Sequence, residues 1–533
     1  MALRFVEYPA RTDLPHMPFE LLFVALFSIA TAVALAARWL RAPYTVALVA
    51  AGVLLGSVQA FEPPHLTKDL LYTVFLPGLL FEAAFHLEFR KFWQNKLAIL
   101  ALAVPGVIAA IAITAVILAP VANALHVVEH FTLLHALVFA AILAATDPIA
   151  VVALFKSLGA PKRLMILVEG ESLLNDGTSV VFFTLISGIA VTGAEASVFG
   201  SLMDFLRVVG MGALIGVMVS FAVSKVIQQV EDAMIEITLT TIAAYGSFAL
   251  AEQFHFSGVI ATVTAGMVCG NYAARTGMGP TTRIAVESFW EYVAFALNSI
   301  VFLLIGFEVR LSALLASWKP ILAAYLSVTI ARAVLTYGVT FLLRSTKERI
   351  PWSWSAILTW GGLRGGLSMV LVLALPATFP HRELLITMTF GVVLISIVLQ
   401  GLTIGPLMRR LKIVGVQHDR IAYDKERGVL RAAKAALETL ESMKVQGAVH
   451  ADVENDIRSD YERMAHDAEA RIQSLYMDAA ELRNQALIAT KRHLLMIEKD
   501  AILDAVKRGL LGNEAAEELL HDIDARLFGI EDP

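Results

Sequence analysis

The chain has 533 residues, is 57% hydrophobic and only 17% charged, and carries a formal charge of −5, with a mean hydropathy of +0.70. It is too apolar for a water-soluble protein of this length, so membrane lipid is its expected solvent and no nucleic-acid partner is expected. The single cysteine, Cys269, excludes an intrachain disulfide or a cysteine-built metal site. Charge is unevenly spread: residues 413–533 hold 16 Lys and Arg against 24 Asp and Glu, whereas the 412 residues before them hold 26 against 23. The change follows the basic stop Arg409-Arg410-Leu411-Lys412. It divides the chain into a membrane domain, residues 1–412, and an acidic cytoplasmic domain, residues 413–533.

Apolar runs long enough to cross a bilayer predict an all-α polytopic membrane protein of about thirteen helices. They lie near 19–37, 44–60, 69–86, 97–119, 132–155, 164–191, 200–227, 234–253, 256–271, 286–307, 320–343, 352–375 and 383–408. The first is too long for a signal-peptide core and lacks a convincing cleavage site, so it reads as a retained span. The third carries Glu82 within Leu79–Phe85. The fifth is interrupted by Thr146-Asp147-Pro148, where proline removes a backbone donor and clashes with the preceding turn. The sixth contains Glu169-Gly170-Glu171-Ser172-Leu173-Leu174-Asn175-Asp176. The twelfth is interrupted by Gly361-Gly362-Leu363-Arg364-Gly365-Gly366, four glycines weakening the helix around one arginine.

One set of connections holds seventeen Lys and Arg, and the other, with the N-terminus, only six. This bias predicts a cell-membrane protein with its N-terminus outside and its tail in the cytoplasm, which requires an odd number of spans. The two interrupted spans are seven apart and therefore run in opposite directions. An inverted repeat of spans 4–6 and 11–13 would have this property.

Carboxylates at bilayer depth are costly and mark function. Glu169, Ser172 and Asp176 fall at i, i+3 and i+7, on one helical face, and Glu171 and Asn175 occupy the neighbouring stripe. A small hard cation prefers oxygen ligands. Asp176, the Ser172 hydroxyl and carbonyls freed around Thr146 could supply them, and Asp147, Glu82 and Asn175 complete the candidate ion- and proton-binding residues. Because desolvation disfavours the charged form of a buried acid, a proton competes there with the cation. Glu82 sits deep enough to need a polar neighbour. Arg364 needs a counter-charge or carbonyls, with Glu171 the expected partner and Asn175 bonding nearby. Asp147 is expected to orient backbone and water, or to offset the partial charges of the broken helix ends. Arg332 in the eleventh span reads as a gating or packing charge, and Glu169 as a residue of the site's mouth.

Thr146-Asp147-Pro148, Glu169–Gly177 and Gly362-Leu363-Arg364-Gly365 together resemble the monovalent cation/proton antiporters of the NhaP and eukaryotic sodium/proton exchanger type. The resemblance covers the whole membrane domain. It implies a homodimer, a dimerisation scaffold, and a six-helix core around two crossing discontinuous helices. It further implies elevator-like exchange of Na+ (or Li+) for H+, with Asp176 as shared carrier. Na+ would be held by Asp176, Ser172, Thr146 and Glu82, and Glu171 with Arg364 would brace the core. Electrogenic relatives carry a second aspartate where this chain has Asn175, which implies electroneutral one-for-one exchange. K+/H+ exchange is the alternative, because selectivity depends on cavity size and ligand flexibility. A channel would need a continuous polar stripe or a carbonyl filter, neither of which is evident; a transporter-like sensor is the other rival. No cofactor and no covalent chemistry are implied, so the chain does not read as an enzyme.

In the tail, helical patterning covers Arg431 to Met443, Asp456 to Leu475, Asp478 to Gly509 and Glu514 to Leu527, with a break at Gly509–Asn513. Heptads are not sustained, which favours a small helical regulatory bundle over a long coiled coil.

Overall fold

The computed structural model describes residues 19–40, 43–58, 70–124, 131–192, 198–309, 311–413, 416–445, 451–478 and 510–528, with 487, 491, 494–495, 497–499, 501–502 and 505–506. Among them the regular structure is entirely helical. Seven helices are long and apolar enough to cross a membrane alone, and five shorter apolar helices accompany them. In chain order the elements of the first unit, residues 1–411, are α1 (Phe19–Leu40), α2 (Tyr44–Val58), α3 (Leu71–His86), α4 (Phe89–Gln94), α5 (Lys96–Ala124), α6 (Leu133–Ile142), α7 (Ile149–Leu158) and α8 (Lys162–Thr192). They continue as α9 (Val198–Ile227), α10 (Ala233–Gln253), α11 (Gly258–Ala273), α12 (Pro280–Glu308), α13 (Leu311–Ala316), α14 (Trp318–Leu343), α15 (Trp352–Trp360), α16 (Gly366–Leu373) and α17 (Arg382–Arg410). The short α4 and α13 have no counterpart in the hydropathy reading. The expected position of the N-terminus falls on residues 1–18, outside the described residues.

Local sequence explains several boundaries. Thr132 and His135 form a reciprocal capping box at the start of α6. Asp232 accepts the Met234 and Ile235 amides to start α10, and Ser257 caps α11 by accepting from Ile260. Gly159, at φ 69°, ends α7 in the left-handed conformation that costs glycine nothing.

The helices pack as two bundles. Helices α1, α2, α3, α9, α10, α11 and α12 contact mainly one another, as do α5, α6, α8, α14, α15 and α17. In the first bundle α2 and α12 approach at backbone distance: a Cβ on Gly52 would lie 2.8 Å from the Gly306 Cα. The second bundle contains both interruptions. α6 stops at Ile142 and α7 resumes at Ile149; α15 stops at Trp360 and α16 resumes at Gly366. The two gaps meet, with the Asp147 amide donating to the Leu363 carbonyl at 2.7 Å. α16 then borders the first bundle through Val301 of α12, 3.0 Å from where a Gly366 Cβ would stand.

The second unit, residues 412–533, has α18 (Val416–Val445) and α19 (Ala451–Asp478) packed as a hairpin, and α20 (Asn513–Phe528). Lys434–Glu469 at 2.9 Å, Arg471–Glu426 at 3.2 Å and Lys444–Glu454 at 3.0 Å tie the hairpin together. The helix expected over Asp478 to Gly509 lies largely outside the described residues.

Candidate functional site

A cavity of about 300 Å³ lies between the bundles. Helices α3 and α12 form one wall; α8, the α6–α7 gap, α7 and the start of α16 form the other. Thr146, Asp147, Ser172, Asp176 and Glu82 all line it, together with Glu169, His86, Lys156 and Asn298. The i, i+3, i+7 face of α8 is therefore the face turned to the cavity. Asp176 is half-buried, and its Oδ1 has no hydrogen-bond partner among the described residues. Ser172 Oγ donates to the Thr146 carbonyl. That carbonyl is available because Pro148 and the end of α6 leave this stretch without a regular helical ladder.

The neighbouring stripe of α8 faces away from the cavity. Asn175 is buried and its Nδ2 donates to the Ala144 carbonyl at 3.0 Å, Thr146 Oγ1 at 3.2 Å and Glu171 Oε1 at 3.3 Å. Its Oδ1 accepts from Ser179 at 2.8 Å. Asn175, expected among the ion-binding residues, thus stands behind the site and holds the Thr146 turn in place.

The expected Glu171–Arg364 pair is corrected by the structure. Glu171, 1% exposed, is bound by Arg332, 5% exposed, through a fork of two bonds at 2.7 and 2.8 Å. Arg332 also donates to the Leu358 carbonyl at 3.3 Å. Arg364 instead donates to the carbonyls of Leu143, Ala144 and Ala145, the latter two at 2.9 and 3.1 Å. Its amide is held by Ser396 Oγ at 3.1 Å. The physical reason is that α6 ends in carbonyls with no intrahelical donor and carries the negative end of its dipole there, so a guanidinium is well placed without a carboxylate. A local difference separates the two arginines. Arg332 lies in the middle of an uninterrupted apolar helix, whose own carbonyls are taken by the helical ladder, and so needs an acid more than Arg364 does.

At the other end of the cavity, His86 Nδ1 lies 3.0 Å from the Glu82 carbonyl and 3.3 Å from its Oε1, and His86 Nε2 lies 3.9 Å from Glu291. Asn298 and Lys156 were not singled out from sequence; nothing in their local pattern distinguishes a cavity residue from a packing one. Among the described residues no cluster of three or more His, Cys, Asp and Glu is placed to hold a metal. The oxygens of Asp176, Ser172, Thr146 and Glu82 on one cavity suit a transient hard monovalent cation, which would be cargo.

The family model "Sodium/hydrogen exchanger, transmembrane" matches residues 23–410. The chain is 35% identical over 518 residues to the Na(+)/H(+) antiporter NhaG of Bacillus atrophaeus, covering 95% of this chain and 96% of that one. It is 37% identical over 421 residues to the Na(+)/H(+) antiporter ApNhaP of Aphanothece halophytica, covering 79% and 78%. The solved structure of the sodium proton antiporter MjNhaP1 from Methanocaldococcus jannaschii superposes with a TM-score of 0.60 at 19% identity, over 74% of this chain and 99% of that one. The family-model match over residues 23–410 and these relatives, with two broken helices meeting inside one of two bundles, place the chain in the transmembrane sodium/hydrogen exchanger family.

Proposed function

We propose that the protein is a secondary antiporter that exchanges Na+ or Li+ for H+, one for one, with Asp176 as shared carrier. The observation that carries this reading is the carboxylate of Asp176. It stands at the wall of the cavity with an oxygen that no described protein group satisfies, beside Ser172 and the Thr146 carbonyl. Protonated Asp176 is neutral, and so is ionised Asp176 with one bound monovalent cation. An empty, ionised Asp176 is neither, and moving it through a low-dielectric barrier is costly. Loaded forms cross and the empty form does not, which couples the two fluxes. Because Asn175 adds no second carboxylate, each cycle moves one charge each way.

The six core helices with their two interruptions, related as an inverted repeat, would move as a body past α3 and α12. The cavity runs to the helix ends that carry His86, Lys156 and Glu169. The basic-residue bias assigns that side to the cytoplasm, so the arrangement is inward-facing in the cell membrane. A homodimer would hold the first bundle fixed, and the tail would regulate exchange. Glu82 contributes a ligand from the fixed wall, while the Glu171–Arg332 pair and Arg364 hold the core's shape.

The test is proton movement in proteoliposomes on adding sodium, lithium or potassium, for the native chain and Asp176→Asn. Proton release driven by sodium or lithium, and absent in the variant, is the expected result. Exchange with potassium alone would replace the cation and keep the mechanism. No exchange with any cation, in the full chain and in one lacking residues 413–533, would overturn the reading.

A further inference from the structure

Asn298 has no part in the mechanism above, yet its surroundings are unusual. It lies on α12 in the apolar first bundle, is buried, and lines the cavity that Asp176 lines. Its amide forms no hydrogen bond with any described residue, whereas its neighbour Ser299 is engaged by Tyr44 Oη and the Phe295 carbonyl. A buried amide without a protein partner is costly unless water or a ligand satisfies it. From α12 only Asn298 and Val301 line the cavity, and Val301 abuts Gly366 at the start of α16. Asn298 therefore sits where the fixed wall borders the broken helices.

We propose that Asn298 is a cation ligand on the stationary wall, its side-chain carbonyl binding the ion carried by Asp176 directly or through one water. This rests on the exchanger reading of the same site and adds a specific consequence. Thr146, Ser172 and Asp176 belong to the bundle that moves, and Asn298 to the one that stays. The carried ion meets Asn298 only when the core stands as it does here. Asn298 thus sets cation affinity on one side of the membrane, and the two faces of the transporter bind sodium unequally.

The test is the sodium KM of exchange from each face, in right-side-out and everted vesicles, for the native chain, Asn298→Ala and Asn298→Ser. Asn298→Ala is expected to raise KM on the order of tenfold, as loss of a supporting ligand does, on the cytoplasmic face only, with maximal rate retained. Asn298→Ser keeps an oxygen and should recover part of the affinity; it also serves as the informative variant should Ala impair folding. Unchanged KM on both faces, or equal rises on both, overturns the proposal. Asp176→Asn run in parallel separates the two failures. If the native chain exchanges and Asp176→Asn does not, an unaltered Asn298→Ala refutes the wall ligand alone. A native chain without exchange, in which sodium also fails to raise the unfolding temperature, refutes both.

Discussion

Glu171 and Arg332 form a buried ion pair whose geometry leaves little unsatisfied: two parallel bonds at 2.7 and 2.8 Å, with further donors from Asn175 and a carbonyl for Arg332 Nε. Removing one partner strands a charge in a water-poor interior, at a cost of about 3–5 kcal/mol. Arg332→Met or Glu171→Leu alone should therefore markedly lower the unfolding midpoint in detergent. The double variant Glu171→Leu/Arg332→Met should recover most of that loss, because the desolvation of both charges disappears together. A double variant as unstable as the singles would show that the pair does more than neutralise itself. Asn175 is the companion case. Its amide nitrogen feeds three acceptors around the Thr146 turn, so a neutral residue beside Asp176 has a structural use, in addition to the part it plays in the proposed stoichiometry.

The interruptions are the elements on which the site depends. Pro148 and the glycines at 361–366 open the helices, and the exposed ends then satisfy one another across the gap. The Asp147 amide meets the Leu363 carbonyl, and Arg364 serves as a cationic cap for α6. Gly365 is required for this close approach, since a Cβ there would lie 2.8 Å from Asp147 Cγ. Gly365→Ala should keep the fold yet reduce sodium-driven proton movement by at least about tenfold, as misplacement near 1 Å does at a reacting centre. Wild-type exchange rates in this variant would show that Asp147 has room to move. In the tail, hydrogen bonds from Lys444 and Arg458 hold the Glu454 carboxyl below the ordinary glutamate range. Its stabilising contribution to the α18–α19 hairpin is complete above the unfolded value, about 4.3. It is lost as pH falls through the lower folded value. Protection of residues 416–478 against hydrogen exchange in the full chain, corrected for intrinsic rates, should fall severalfold across that window. Glu454→Gln should remove its share of the pH dependence.

For the molecule as a whole, the two-bundle division links membrane energetics to function. One bundle carries the broken helices and Asp176. The other is closely packed, with α2 and α12 at backbone contact through Gly52 and Gly306. If each cycle moves one positive charge in each direction, an imposed potential does no net work on exchange. A 100 mV potential should leave the equilibrium sodium ratio unchanged, whereas a net single charge per cycle would shift it about 50-fold. Sodium and pH gradients measured at null flux, with and without a potassium-valinomycin potential, distinguish the two. A shift of that size would mean that a second carboxylate, Glu82 or Asp147, cycles protons as well.

Much of this was legible before any fold was known, because it is local. Run length and hydropathy define which segments are membrane helices. Proline and clustered glycine determine where the ladder of backbone bonds fails. Spacing at i, i+3 and i+7 puts Glu169, Ser172 and Asp176 on one face. None of that specifies which distant helix a given face meets. Glu171 and Arg332 are 161 positions apart in the chain, and Arg364 and Ala144 are 220 apart. Buried charges choose partners by how the helices pack, and two arginines with one nearby glutamate admit more than one pairing by charge alone. Tertiary structure decided between them. It gave the carboxylate to the arginine in mid-helix, which finds only the Leu358 carbonyl besides, and three carbonyls to the arginine lodged at a helix end, and it brought Asn298 of α12 to the cavity of Asp176.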